Sequence, residues 1–383
     1  MKLNVDWKSA DSVVMAAKEL SADEILVPMD EGEFGGLVWF SSSGSTGGPR
    51  KWWGLTRLGL LASAEAVNDH LKVESIDKWA NVLPHHHVGG FGIWARAHQS
   101  QTEVMDWSDE KWDPTKFHSR LREHKITLTS LVPTQIYDLI QLGLKAPENL
   151  KAVVVGGAHL EDGLLKKARV LNWPILVSFG MTECASQVAT ARLNSTDLAL
   201  LNHIEARVDQ DQRLWLKSMS AAIAVAERMG SSFRVRSSLE GGWLKTSDRA
   251  ELRGSILIPK GRITGQIKIL GELVDLESLR ASLSKALAQV NGLGDWQLIH
   301  LTDERRGYSL LLVLDRRLRE NFDLIGQAVD LWNQSRPGFE RISKLVLIEH
   351  FPKSDLAKID LRALGQKVLA QESSQVIRDR KFF

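Results

Sequence analysis

The chain carries a single cysteine, Cys184, in 383 residues. That excludes an intrachain disulfide and any cysteine-rich metal site. No apolar run approaches the ~18 residues that a membrane-spanning helix needs. Residues 1–20 mix charges with apolar side chains where a secretory leader would carry an unbroken apolar stretch. Neither sign of charge predominates, with 49 Lys and Arg against 47 Asp and Glu for a net charge of +2. That balance argues against nucleic acid or an acidic membrane as the main partner. Tyrosine is nearly missing, two residues against thirteen tryptophans, and this imbalance attaches to no function. The expectation is a cytoplasmic protein without membrane insertion. At this length two domains are expected, since single cores stop growing near ~250–300 residues.

What is present begins with Ser41-Ser42-Ser43-Gly44-Ser45-Thr46-Gly47-Gly48-Pro49-Arg50-Lys51. It follows an apolar run, Leu37 to Phe40, that reads as a buried strand, and it precedes an amphipathic stretch over 55–71 that reads as a helix. Glycines let backbone amides approach a phosphate, hydroxyls add donors, and Arg50 and Lys51 offset negative charge. The spacing is not G-x-x-x-x-G-K-[ST], so a Walker-type NTPase is disfavoured.

From 37 to about 190, short apolar runs alternate with amphipathic stretches. Strands are expected at 79–83, 127–132, 152–155 and 175–179, and helices at 55–71, 114–124, 133–142 and 162–171. That alternation predicts an α/β domain with a mostly parallel sheet, whose ligands sit beyond the carboxyl ends of the strands. Between 203 and 259 the texture turns to antiparallel strands, giving a small β-rich subdomain. A smaller α+β domain follows, so the expected domains are 1–260 and 261–383.

Several further words stand in order along the chain: Leu83-Pro84-His85-His86-His87-Val88-Gly89-Gly90, Val155-Gly156-Gly157-Ala158, Phe179-Gly180-Met181-Thr182-Glu183, Trp243-Leu244-Lys245-Thr246-Ser247-Asp248, Gly261-Arg262, and Pro352 with Lys358. Together with the Ser/Gly loop they resemble the core motifs of the acyl-adenylate-forming enzymes, from residue 37 onward. Within that superfamily, Phe91-Gly92-Ile93 with Arg96, Thr129-Ser130-Leu131-Val132-Pro133 and Cys184-Ala185-Ser186-Gln187 resemble the o-succinylbenzoate–CoA ligases of menaquinone biosynthesis.

The resemblance implies an ATP-dependent ligase that forms an acyl-adenylate and then a thioester with coenzyme A. It implies that Ser42, Ser43, Gly44, Ser45, Thr46, Gly47, Arg50 and Lys51 hold the ATP phosphates. Glu183 is implied as a ligand of Mg²⁺, and Thr182 as a donor to the α-phosphate. Gly156, Gly157, Ala158, Phe179 and Gly180 would frame the adenine, Asp248 and Arg262 the ribose, and Gly271 would lie at the coenzyme A site. Lys358 would be the catalytic lysine. His87 would line the acid pocket or gate the thiol tunnel, and Arg96 would bind a second carboxylate of the acid. The partner is therefore a small aromatic or acyl carboxylic acid, in a chain that could form homo-oligomers.

The residues alone leave alternatives open. Three consecutive histidines invite a zinc reading, but on an extended segment only His85 and His87 could share a face, and no other ligand cluster is in sight. Cys184 reads as a small buried residue. Arg50 stands where the family usually has lysine, Phe179 where it has tyrosine, Ser247 and Ala357 where it has glycine, and Thr264 where it has a hinge acid. About forty residues precede the loop, fewer than the family usually carries. Another acyl- or aryl-CoA ligase, a carrier-protein-loading enzyme, and a degenerate nucleotide-binding homologue without ligase activity remain as competing readings.

Overall fold

The computed structural model describes residues 6–16, 34–41, 51–160, 162–229, 232–263, 265–288, 296–352, 359, 361–369 and 376–382. Described residues up to Ile263 form one compact unit and those from Gly265 onward a second. The Ser/Gly residues 42–50, Thr264, Ala357 and Lys358 lie outside the described residues.

The first unit is built on a 12-stranded sheet. One half is parallel, in the order Ile175–Met181, Ala152–Val155, Leu128–Leu131, Lys78–Asn81 and Glu103–Asp106. Leu128–Leu131 and Ala152–Val155 are buried along their whole length, as parallel strands covered on both faces must be. Of the antiparallel strands expected between 203 and 259, Ala224–Met229 and Ser232–Ser237 join a separate sheet, and the others extend this one. Ser186–Thr190 returns antiparallel on Ile175–Met181, and the ladder runs on through Leu198–Leu200, Ile256–Arg262, Trp243–Arg253, Arg213–Lys217 and Glu205–Val208. A tight turn at Thr182–Cys184 makes the reversal possible, so no crossover helix separates the two halves.

Helices Val88–Ser100, Pro114–Glu123, Pro133–Gln141 and Asp162–Val170 join or flank the parallel strands. Their starts follow from sequence. Asp113 accepts from Thr115 N at 3.0 Å and Lys116 N at 2.9 Å, with Pro114 as the first helical residue.

A second sheet orders Val13–Met15, Val38–Ser41, Lys51–Leu55, Ala224–Met229 and Ser232–Ser237. Here the expectation of strand, loop and helix needs correction. Residues 42–50 connect two antiparallel strands, with Ser41 paired to Trp52, and the helix begins only at Arg57. Trp52 and Leu55 are fully buried, and that burial in the sheet prevails over the helical pattern read from residue 55. Arg57 ties the N-terminal segment down. Its guanidinium donates to the carbonyls of Asp6 at 3.0 Å, Asp11 at 2.8 Å and Gly36 at 2.9 Å.

The second unit has a four-stranded sheet of Trp296–Asp303, Gly307–Asp315, Ile342–Ile348 and Val376–Lys381. Helices Leu276–Leu287, Phe322–Gln334 and Leu361–Leu369 accompany it. Leu279, Leu283 and Leu287 of the first pack with Leu298, Leu312 and Ile325 in one core. A hairpin of Gln266–Ile269 and Glu272–Asp275 turns through Leu270 at φ 55° and Gly271 at φ 85°. Two positive φ values mark a type I′ turn, which favours glycine at that position. Among the described residues no helix is long and apolar enough to cross a membrane.

Candidate active site

The carboxyl ends of the parallel strands deliver three loops. After Lys78–Asn81 comes the turn of Pro84 to His87, which caps helix Val88–Ser100. A Cβ on Gly90 would lie 2.4 Å from Leu83 O and 2.5 Å from Pro84 O, so only glycine lets the helix start this close to the turn. After Ala152–Val155 come Gly156, Gly157 at φ 86° and Ala158. After Ile175–Met181 come Thr182 and Glu183, both half-buried.

The histidines sit in a turn, not on the extended segment on which His85 and His87 could have shared a face. His86 and His87 face each other with ring centroids 4.4 Å apart. His85 points away, its Nε2 lying 3.0 Å from Asp106 Oδ2 and 2.8 Å from Ser108 Oγ. Burial pushes the Asp106 carboxyl up, but the hydrogen bonds from His85 and Ser108 outweigh it and hold the group below the usual carboxylate range. Among the described residues no cluster of three metal-ligating side chains exists, at the histidines or elsewhere.

Strand pairing brings Asp248 opposite Arg262 across a register shift in the ladder. Arg262 Nε donates to Asp248 Oδ1 at 3.0 Å and Nη2 to Oδ2 at 3.4 Å, a forked pair with both side chains 14% exposed. Burial works against the Arg262 charge, but Asp248 and also Glu183 act on it and raise its pKa above the ordinary value. Three sequence words far apart, at 183, 248 and 262, thus form one electrostatic group. Each Asp248 oxygen keeps acceptor capacity beyond the arginine.

Gly180 has a packing cause. A Cβ there would lie 1.8 Å from Ser186 O, where the strand reverses through a bulge. Cys184 is fully buried against Ser220 Oγ, and burial pushes its thiol up to about 12, so it packs and does not react. Lys51 begins a strand, and its Nζ lies 3.1 Å from Glu227 opposite it.

Arg96 lies on helix Val88–Ser100 facing the sheet, only 2% exposed. Nη1 donates to Ser130 Oγ at 3.2 Å, and the guanidinium stands 5.5 Å over the Trp79 ring. Burial pulls its pKa down to about 10, and no acid compensates: among the described residues Arg96 has no carboxylate partner. Sequence reasoning missed Trp79 as the arginine's floor. Ser130 carried a usable signal, one of two adjacent hydroxyls, with Thr129, between the leucines of a buried strand.

Comparison with known proteins fits this geometry. In solved structures, o-succinylbenzoate CoA synthetase from Bacillus subtilis, bound to its product analogue OSB-NCoA, matches with a TM-score of 0.67 at 19% identity, over 86% of this chain and 69% of that one. The fold is that of the acyl-adenylate-forming enzymes. Amide bond synthetase McbA from Marinactinospora thermotolerans shares this fold, with a TM-score of 0.68 at 16% identity over 86% of this chain and 68% of that one. Residues 37–213 match the family described as AMP-binding enzyme. The 2-succinylbenzoate–CoA ligase of Staphylococcus aureus (strain JH9) is 34% identical over 152 residues, 39% of this chain. That match spans 30% of the relative's length. In the adenylate-forming fold, the loops at 84–87, 156–158 and 182–183 stand at the carboxyl edge of the sheet, where ligands of parallel sheets bind.

Proposed function

We propose that this chain is an ATP-dependent acid–CoA ligase whose acid is a dicarboxylate of the o-succinylbenzoate kind. Arg96 carries the proposal. A guanidinium buried over Trp79 with no carboxylate partner among the described residues is costly unless an anion completes it. A monocarboxylic acid spends its one carboxylate on the adenylate bond, whereas a dicarboxylate has a second one to give the arginine.

In the first half-reaction, a carboxylate oxygen of the acid attacks the α-phosphorus of ATP and the bond to the β-phosphate oxygen breaks, releasing pyrophosphate. In the second, the thiolate of coenzyme A attacks the activated carbonyl and AMP leaves. Ser42, Ser43, Gly44, Ser45, Thr46, Gly47, Arg50 and Lys51 are assigned to the ATP phosphates, and Thr182 to the α-phosphate. Asp248, anchored by Arg262, is oriented to accept from the ribose hydroxyls. Gly156, Gly157, Ala158 and Phe179 frame the base. Glu183 suits Mg²⁺, because a hard ion that takes most of its ligands from phosphate and water needs only one or two protein carboxylates. When bound, the ion neutralises phosphate charge. Lys358 supplies positive charge to the transferring oxygens, His87 borders the acid pocket, and Gly271 lies at the coenzyme A site. ATP and coenzyme A are cytoplasmic substrates, so the reaction belongs in that compartment.

The test is coenzyme A-dependent release of AMP across a panel of o-succinylbenzoate, benzoate and straight-chain monocarboxylic acids. The expected result is highest kcat/KM for o-succinylbenzoate. Arg96→Leu should erase that preference by about a hundredfold while leaving the KM for ATP unchanged and the fold as stable as before, since an apolar replacement removes an unpaired buried charge. A wild-type preference for monocarboxylic acids would overturn the proposal.

A further inference from the structure

Arg96, bonded to Ser130 but without a carboxylate, is not the sole donor group of interest in its neighbourhood. Leu128, Val154 and Leu176 belong with Trp79 to one core cluster. Ser130 and Ser178, each two residues further along its strand, therefore face the same side of the sheet as these residues and Arg96. Thr190 pairs directly with Ser178. Thr190 Oγ1 lies 2.6 Å from Gln187 Oε1 and 3.2 Å from Ser178 Oγ, and its one proton goes to the nearer oxygen, at a length typical of O–H···O, which turns the carboxamide oxygen toward the threonine. Gln187 is 3% exposed, and its Nε2 is left buried with no acceptor.

Ser186 reaches the same place from the neighbouring position. A Cβ on Gly92 would lie 3.2 Å from Arg96 Nη2 and 4.0 Å from Ser186 Cβ. The missing side chain at 92 thus leaves a space that the arginine and the serine both border. The Ser186 hydroxyl has no hydrogen-bond partner among the described residues. Its backbone is also costly to hold, with φ at 93° directly after Ala185 at 49°, both outside the ordinary range for residues with a Cβ. The Ser63 hydroxyl holds that conformation by donating to Ala185 O at 3.1 Å. Strain of this kind persists where surrounding structure enforces it, and it concentrates at ligand-binding sites.

We propose that Ser186 and Gln187 are specificity-determining residues, forming with Arg96 a slot of donors, opened by Gly92, for the carboxylate of the acid that is not activated. An ionised carboxylate only accepts hydrogen bonds and can take several at once. An aliphatic or unsubstituted aryl tail in the same space would leave the guanidinium without a counter-charge and the carboxamide N–H without an acceptor, and a site built to hydrogen-bond its substrate rejects analogues that cannot. This inference rests on the ligase reading for the identity of the acid.

Two substitutions test it with little risk to the fold. Ser186→Gly tolerates the positive φ and removes the hydroxymethyl group, the smallest change that deletes the hydroxyl without strain. Gln187→Glu keeps the oxygen that Thr190 bonds and replaces the orphan donor by a second oxygen, which repels an anion. Hydrogen bonds to charged groups predict a rise in the KM for o-succinylbenzoate of about tenfold in Ser186→Gly and about a hundredfold in Gln187→Glu, with the KM for ATP and turnover of benzoate unchanged. Equal effects on o-succinylbenzoate and benzoate, or none on either, would overturn the slot while leaving the ligase reading standing. Should the wild-type protein activate no acid, the ligase reading fails, and calorimetric titration with o-succinylbenzoate decides the slot by itself. Binding that Gln187→Glu abolishes supports it, and absent or unchanged binding overturns it.

Discussion

Arg96, Gly92 and Gly90 show how a helix can be shaped at single positions for two purposes. Gly90 answers to the turn beneath it, because its Cβ would strike the carbonyls of Leu83 and Pro84. Gly92 has no backbone within reach of its missing Cβ, only Arg96 and Ser186 side chains. The two glycines should therefore respond differently to alanine. Gly92→Ala is expected to leave thermal stability within about 1 kcal/mol, with any gain in helix propensity offset by crowding against Arg96. It should raise the KM for the acid at least tenfold, since the added methyl takes the space beside the guanidinium. Measured KM values for acid and ATP, beside a melting curve, check this, and an unchanged acid KM would show that the space is not used. Of the residues singled out from sequence, Cys184 was legible because a lone cysteine has one common physical reading, a small buried side chain. Lys51 and His85 were not, since their partners Glu227 and Asp106 lie 176 and 21 positions away.

Among the elements, the reversal at Thr182–Cys184 does most to bring the site together, joining the parallel half of the sheet to the antiparallel half. Gly180 permits the close approach of Ser186 O. Gly180→Ala should cost several kcal/mol, because backbone must move to relieve the overlap, and it should disturb Thr182, Glu183 and Ser186 together. A urea midpoint unchanged from wild type would refute that account. Amphipathic helices such as Asp162–Val170 and the uniformly buried strand Ala152–Val155 were readable to within a residue, because period and burial agree there. Lys51–Leu55 was hidden by the helical pattern that overlaps its end. Edge strand Glu103–Asp106 was hidden because its residues are exposed or half-buried and carry no run of apolar side chains.

At the scale of the whole molecule, the sheet that holds the acid slot also holds the Asp248–Arg262 pair, so stability and site geometry are coupled. His203 gives that coupling a pH dependence. Both its ring nitrogens are buried without partners, and burial drags its pKa down to about 4 from 6.5. An unfolded chain would take up a proton near the ordinary value and the folded one only near the depressed value. Between those two pKa values the unfolded state binds more protons, so stability falls as pH drops through that window, by roughly 3 kcal/mol in full, and this contribution is flat above it. Urea midpoints at pH 7.5 and 5 should separate more in the wild type than in His203→Leu, and equal separations would remove His203 as the cause.

The tryptophan richness visible at the outset gains a practical meaning from the position of Trp79. Its indole is fully buried beneath the Arg96 guanidinium, where a positive charge acts directly on the ring. A carboxylate arriving on the far side of that cation would partly cancel the field the indole feels. The protein thus contains its own optical gauge of the slot, readable as a change in emission with Trp79→Phe as the blank, and without label, nucleotide or turnover.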